Sequence, residues 1–283
     1  MTGAPLPTLF ISHGAPPLAL RPGEIGDFWR ALAESLPRPS AVLAVSAHWM
    51  TDLPLLGAAE KPETIHDYYG FPEEFYRIFY PAPGAPELAA RAVALLQAAG
   101  IPAAADAQYG LDHGAWVPLK SFYPKADVKV AQLSVQPYRD ARWHYRVGAA
   151  LAPLRDENVL ILGTGGATHN LREMDPRGGP PPAWATAFDD WLGQALEQGR
   201  LDELFDWQSK APQALRAHPS PEHFLPLFVA LGAAGFGAFS GEVDAGSPQK
   251  TRPDQKPAQA QRIHRGFSLG GLSMSAFKFA DAA

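Results

Sequence analysis

Short apolar, β-branched runs alternate along this chain with longer stretches whose apolar positions recur every three or four residues. Thr8 to Ser12, Ala41 to Ser46, Val128 to Val135 and Val159 to Gly163 read as buried strands. Ile25, Phe28, Trp29, Leu32 and Leu36 fall at helical spacing over residues 24–36. Leu88, Ala92, Leu95, Leu96 and Ala99 do the same over 86–99, a helix closed by Gly100 and Pro102. Residues 141–154 predict another helix. Residues 183–206 predict one more, with Trp184, Phe188, Trp191 and Leu192 as a core stripe rather than a cofactor box. Phe224, Leu227, Phe228 and Leu231 mark a helix starting near residue 222, with Ser220 and Pro221 placed as cap and first turn. Pro226 conflicts with that start, because a proline that far inside costs a backbone bond. Gly271 to Phe279 alternates as a closing strand.

Strands alternating with helices predict an α/β fold, layered α/β/α about a central mixed sheet, with residues 1–283 as a single domain. Two segments break the pattern. Residues 177–182 (Arg-Gly-Gly-Pro-Pro-Pro) are a loop, and residues 244–261, rich in Gln, Lys, Pro and Ala, read as a mobile surface insertion.

Composition narrows the function classes. A net charge of −5 and a pI near 6.0 argue against a nucleic-acid footprint. The chain has no cysteine, which excludes thiolate zinc sites, iron–sulfur clusters and thiol nucleophiles. A metal would therefore be held by histidine and carboxylate, a donor set suited to zinc, Fe(II) or Mn(II). With neither a membrane span nor a signal-peptide pattern, a cytoplasmic protein is expected.

Candidate chemistry concentrates in histidine motifs. Phe10-Ile11-Ser12-His13-Gly14, Val45-Ser46-Ala47-His48-Trp49 and Gly166-Ala167-Thr168-His169-Asn170 each follow a predicted strand. The edge of an open α/β sheet where strands end is where ligand crevices form. Pro221-Glu222-His223-Phe224 supplies a fourth, in which either Glu222 or His223 could be a ligand. Taken singly, His13 is explained as a turn residue and His48 as a ring packed on Trp49; together at strand ends they point to a metal. Gly163 to Gly166 lacks the dinucleotide and Walker spacings, and reads as backbone that approaches a metal-bound substrate. His113, in a turn beside Asp112, fits an acid or base, and His66 a substrate contact. His144, His218 and His264 read as surface or structural. Ser12 and Ser46 lack a nucleophile elbow.

In order along the chain, Ser12-His13-Gly14-Ala15-Pro16, Ser46-Ala47-His48-Trp49, Thr64-Ile65-His66-Asp67, Phe71-Pro72, Tyr80-Pro81-Ala82-Pro83-Gly84, Leu111-Asp112-His113-Gly114, Thr168-His169-Asn170-Leu171-Arg172, Pro221-Glu222-His223 and Leu272-Ser273-Met274 resemble the class III (LigB-like) extradiol ring-cleaving dioxygenases, in their DOPA extradiol dioxygenase branch. The resemblance implies an α/β fold with the metal at a strand edge. It places His13, His48 and His223 at metal-binding positions, His169 at a position that is ligand or catalytic base, and His113 at a second acid/base position. Tyr69 departs from the family's glycine before Gly70-Phe71-Pro72, which predicts a narrower pocket, and the 244–261 segment is longer than usual.

The reaction so implied inserts O2 into a catechol, DOPA-like in the first instance, to give a ring-opened semialdehyde acid. Fe(II) is the expected working metal and Zn(II) an alternative occupant. Trp49, Tyr68, Phe71 and Trp116 neighbour the site histidines in sequence and suit an aromatic ring, Trp49 and Tyr68 foremost. No nucleic-acid or membrane partner is expected, and the protein is expected as a monomer or small homo-oligomer. The competing readings are a zinc-dependent hydrolase, a structural metal site, and a non-enzymatic binding protein on the same fold, like the Memo proteins.

Overall fold

The computed structural model describes residues 4–237 and 258–281. Its strands are β1 (Thr8–Ser12), β2 (Ala41–Met50), β3 (Leu55–Gly57), β4 (Ala104–Asp106), β5 (Lys129–Val135), β6 (Val159–Gly165), β7 (Ala258–His264), β8 (Phe267–Ser268), β9 (Leu272–Ser273) and β10 (Ala276–Asp281). The longer helices are α1 (Gly23–Ser35), α3 (Pro86–Ala98), α4 (His113–Phe122), α5 (Ala141–Leu151), α6 (Ala183–Glu197) and α10 (Leu225–Ala234). Short turns of helix fill the connections: α2 (Glu73–Tyr76), α7 (Leu201–Phe205), α8 (Trp207–Lys210) and α9 (Ala214–Ala217).

Eight strands form one sheet in the order β4-β3-β5-β2-β6-β1-β10-β7. The middle pairs, β5 with β2, β2 with β6 and β6 with β1, are parallel, whereas β10 joins β1 antiparallel, so the sheet is mixed as expected. Side chains alternate across a strand, and each central strand feeds two cores. Leu9, Ile11, Val42, Ala44, Leu160 and Leu162 pack with Trp29, Leu32 and Trp116 of α1 and α4. Leu43, Val45, Val159 and Ile161 pack on the opposite face with Leu88, Ala92, Val147, Leu151 and Val229 of α3, α5 and α10. Phe10, Phe277 and Phe279 meet Phe188, Phe224 and Phe228 in a third cluster. These faces explain why the strand runs are continuously apolar: a central parallel strand has no solvent side.

Every residue of α10 is buried, as a helix apolar all round must be. It crosses α5 at van der Waals range because both contribute glycine: a Cβ on Gly148 would fall 2.0 Å from the Val229 carbonyl oxygen, and one on Gly232 1.9 Å from that of Tyr145. Arg155, itself buried, donates to the Ala233 and Ala234 carbonyls at the helix end and pairs with Asp281.

Several boundaries differ from the periodicity. α10 begins at Leu225, not near 222, which puts Pro226 in the first turn, where its missing N–H has no partner to lose. Residues 183–206 are two helices, interrupted at Gly199 with φ +67°. Residues 271–279 split into β9 and β10. His113 is not in a turn but opens α4, whose N-cap is Asp112; the Asp112 carboxylate accepts the Ala115 N–H. Residues 244–257 of the expected insertion lie outside the described residues, and residues 258–261 are β7 strand rather than loop. Tyr69 is 92% exposed and does not narrow a pocket. Among the described residues, no helix is long and apolar enough to cross a membrane.

Candidate metal centre

Three strand ends and the turn before α10 deliver the site. β1 ends at Ser12, and the next residue, His13, donates its backbone N–H to Gly165 at the end of β6 (3.0 Å). β2 pairs with β6 only as far as Ser46 and then runs on to Met50, carrying His48 beyond its neighbour. The loop after β6 carries His169, and the turn before α10 carries His223. Ser12 ties these together: its hydroxyl donates to Ser275 O and accepts the Ala167 N–H. Ser46 is equally occupied, donating to the buried Asp112 carboxylate (2.6 Å). Both serines are structural.

The glycines at the end of β6 have a different task from the one read in the sequence. A Cβ on Gly163 would come 2.6 Å from the Pro226 carbonyl oxygen, and one on Gly165 2.1 Å from that of His223. They admit the backbone that carries His223, not a substrate. Gly166 N–H then bonds the same His223 carbonyl (2.9 Å).

The rings converge through their Nε2 atoms. His48 Nε2 is 3.1 Å from His13 Nε2 and 3.3 Å from His223 Nε2. Behind them, His48 Nδ1 faces Asp67 Oδ2 (3.2 Å) and His223 Nδ1 faces Glu222 Oε1 (2.9 Å). A carboxylate only accepts, so each Nδ1 carries the hydrogen and each Nε2 is left with a bare lone pair. Two lone pairs 3.3 Å apart repel unless a cation lies between them. A metal–nitrogen distance of about 2.0–2.1 Å at tetrahedral angles sets ligand nitrogens roughly 3.3 Å apart, so the separation fits a shared ion. His13 Nδ1 is buried with no hydrogen-bond partner among the described residues.

Electrostatics agree with a cation site. Burial, then the neighbouring histidines His48, His113 and His169, holds His13 well below its ordinary value. Burial, then His169, His48 and His13, does the same to His223. Neutral imidazole is the form that binds metal. Burial and His218 bring His169 down to about 3, and burial lowers His113 against its bond to Asp67.

One donor atom from each of His13, His48 and His113 lies within 4.8 Å of the others, as do donors from His169, Glu222 and His223. The His48–His223 contact joins the two groups. His113 approaches His48 with ring centroids 3.9 Å apart, and His169 stacks on His223 at 3.3 Å and 10°. Glu222, left open as a ligand in the sequence, sits behind the His223 ring.

The expected substrate contacts are placed less evenly. Tyr68 meets His113 edge-on at 5.5 Å, but its hydroxyl donates to Phe75 O; burial pushes that phenol up to about 12. His66 bonds Ile78 O through Nε2 and sits among Tyr68, Tyr76, Phe79 and Trp116. Trp49, next to His48 on a strand, takes the opposite face and stacks on Tyr109 (3.8 Å, 4°). His144 and His218 are buried and structural, bonding Gln136 N and Ala167 O through Nε2, and His264 stacks on Phe28. Asp67 was missed as a site residue. It follows His66 in Thr64-Ile65-His66-Asp67, but a carboxylate in a loop gives no periodic signal of which rings it will face.

Comparisons with known proteins agree with this geometry. Residues 24–246 match the family model of the catalytic LigB subunit of aromatic ring-opening dioxygenase. A 4,5-DOPA dioxygenase extradiol from Beta vulgaris is 42% identical, covering 96% of both chains. One of the same name from Escherichia coli K12 is 41% identical over 82% of this chain and 87% of its own. A crystal structure of an uncharacterized protein from Escherichia coli K12 superposes with a TM-score of 0.73 at 32% identity, covering 96% of this chain and 99% of that one. With the model matched over most of the chain, and relatives this similar over nearly its full length, the chain belongs to the LigB family and is a metal-dependent extradiol ring-cleaving dioxygenase, an oxidoreductase acting on a small aromatic substrate with O2.

Proposed function

We propose that the protein opens a single-ring catechol, DOPA-like in its ring, beside rather than between the two hydroxyls, using Fe(II) held by His13, His48 and His223. The observation that carries the ligand set is the pair of bare Nε2 lone pairs on His48 and His223, 3.3 Å apart, with His13 Nε2 beside them. Fe(II) bound there supplies the redox chemistry with O2 that side chains lack, with open positions for substrate. Zn(II) is the competing occupant, because it binds such sites more tightly.

The protein's own groups handle protons and orientation. Asp67 accepts the His113 Nδ1–H (2.9 Å), so His113 Nε2 is an acceptor for a phenolic proton. His169, stacked on His223 and neutral through burial, is a second acceptor, placed at His223 where His113 is placed at His48. The ring of Tyr68 and the aromatic enclosure of His66 give a flat substrate an apolar wall. His66 donates through Nε2 to Ile78 O, which leaves its Nδ1 to accept from a substrate hydroxyl or amine.

The test is anaerobic reconstitution with Fe(II), then O2 uptake and growth of a yellow chromophore with a panel of catechols. Uptake with DOPA and simple catechols is expected. Absence of uptake with every catechol, together with ester or amide hydrolysis by the zinc form, would move the chain to the hydrolase reading, which the family match does not favour.

A further inference from the structure

The Asp67 carboxylate is divided between two histidines that arrive from different parts of the fold. Its Oδ1 accepts both the backbone N–H and the Nδ1–H of His113, each at 2.9 Å, and its Oδ2 faces Nδ1 of His48 at 3.2 Å. His48 comes from the end of β2 and His113 from the first turn of α4, yet their rings lie 3.9 Å apart. Asp112, the other acidic residue near them, is already spent on Ser46, Gln132, Tyr109 and the Ala115 N–H. The carboxylate also meets one of the free N–H groups at the start of α4, where negative charge is favoured.

We propose that Asp67 is a positioning residue that sets the metal-capturing posture of His48 and the proton-accepting posture of His113 at once, through a single carboxylate; this rests on the roles proposed above for those two histidines. Both Asp67 oxygens are turned toward histidine Nδ1 atoms. The effect is to fix a hydrogen on each Nδ1. That leaves Nε2 of His48 for the ion and Nε2 of His113 for a proton. An asparagine keeps one acceptor oxygen but turns an N–H2 toward the second Nδ1–H, so at least one ring must turn over or change tautomer. Outer carboxylates behind metal-binding histidines are worth about 10–100-fold in metal affinity.

The experiment uses the full chain, with Co(II) as a spectroscopic metal probe and Fe(II) for turnover. In Asp67→Asn we expect Co(II) affinity to fall about 10–100-fold and kcat at saturating Fe(II) to fall at least tenfold, while Asp67→Glu recovers part of both. In a His113→Ala background, Asp67→Asn should still weaken Co(II) binding but should lower kcat no further. Unchanged Co(II) affinity, or kcat losses that multiply across the two sites, would overturn the proposal. If Asp67→Asn does not fold, Asp67→Ser, which keeps one small acceptor, carries the same two readings. A wild-type protein that binds Co(II) but consumes no O2 with any catechol would sink the proposed reaction. The Co(II) arm alone would then decide, a loss in Asp67→Asn supporting the positioning of His48 and no loss overturning it.

Discussion

A side chain on Gly165 and the backbone of His223 cannot occupy the space they share: a Cβ at 165 would lie 2.1 Å from the His223 carbonyl oxygen. The last residue of β6 therefore decides how closely the His223 turn can seat on the sheet. Gly165→Ala should push that turn outward. Overpacking of this kind costs about 1–3 kcal/mol, and it acts on the backbone that carries a proposed ligand. We expect a lower urea midpoint and a Zn(II) affinity weakened at least tenfold, read by denaturation and calorimetry. Unaltered metal affinity in the variant would show that His223 is not seated by this contact.

The sheet and its main helices were legible because strands buried on both faces and helices on one leave distinct periodicities. The apolar runs of β1, β2, β5 and β6 and the stripe of α1 are examples. β3 and β4 have three residues each and left no pattern to read. The helix opened by His113 was hidden because α4 is buried almost throughout and holds Pro118. His13, His48 and His223 were legible as a group, since strand ends and a helix start bring them to one sheet edge. Asp67 was not, because its role depends on where two other elements put their rings. Trp49 shows the reverse error: adjacency to His48 suggested a substrate contact, yet alternation along β2 sends its ring to Tyr109.

Ligand and proton-transfer roles separate by what survives substitution. His13→Ala, His48→Ala and His223→Ala should each empty the site, seen as loss of stoichiometric metal after dialysis. His113→Ala should retain metal and slow turnover by roughly 10²–10⁴-fold, the contribution typical of a positioned acid or base. His169→Ala decides its own assignment: retained metal with slow turnover marks a base, and lost metal marks a fourth ligand. Full activity in both His113→Ala and His169→Ala would remove the proton-transfer role altogether.

Metal should stabilise the folded chain, because His13, His48 and His223 converge only in the native state. An ion at 100 times its Kd adds about 2.7 kcal/mol, which corresponds to a Tm rise of roughly 4–5 °C for a domain of this size. Differential scanning fluorimetry of chelator-stripped protein, with and without Zn(II), measures it. The rise should vanish in His48→Ala. A shift of equal size in that variant would place the stabilising ion elsewhere.

Acid sensitivity should come in part from His144, which is outside the histidine cluster of the metal centre. Its Nε2 accepts the Gln136 N–H (3.1 Å) and its Nδ1 donates to Asp140 O (2.8 Å), so both ring nitrogens are committed with the ring neutral. Burial, opposed by the Asp140 bond, lowers the group to about 4, against about 6.5 in an unfolded chain. Above 6.5 neither state binds the proton, and the contribution is whole. As pH falls from 6.5 towards 4, the unfolded chain takes up a proton that the native state refuses, and stability drops. The full loss is about 3 kcal/mol by pH 4, of the same sign as that from His218, which burial also lowers to about 4. His144→Gln keeps an acceptor and a donor but cannot titrate. It should be somewhat less stable than the parent at pH 7, yet should lose less on going to pH 4.5, as urea midpoints at the two values will show. A variant whose midpoint falls as steeply as the parent's would clear His144 of any part in acid unfolding.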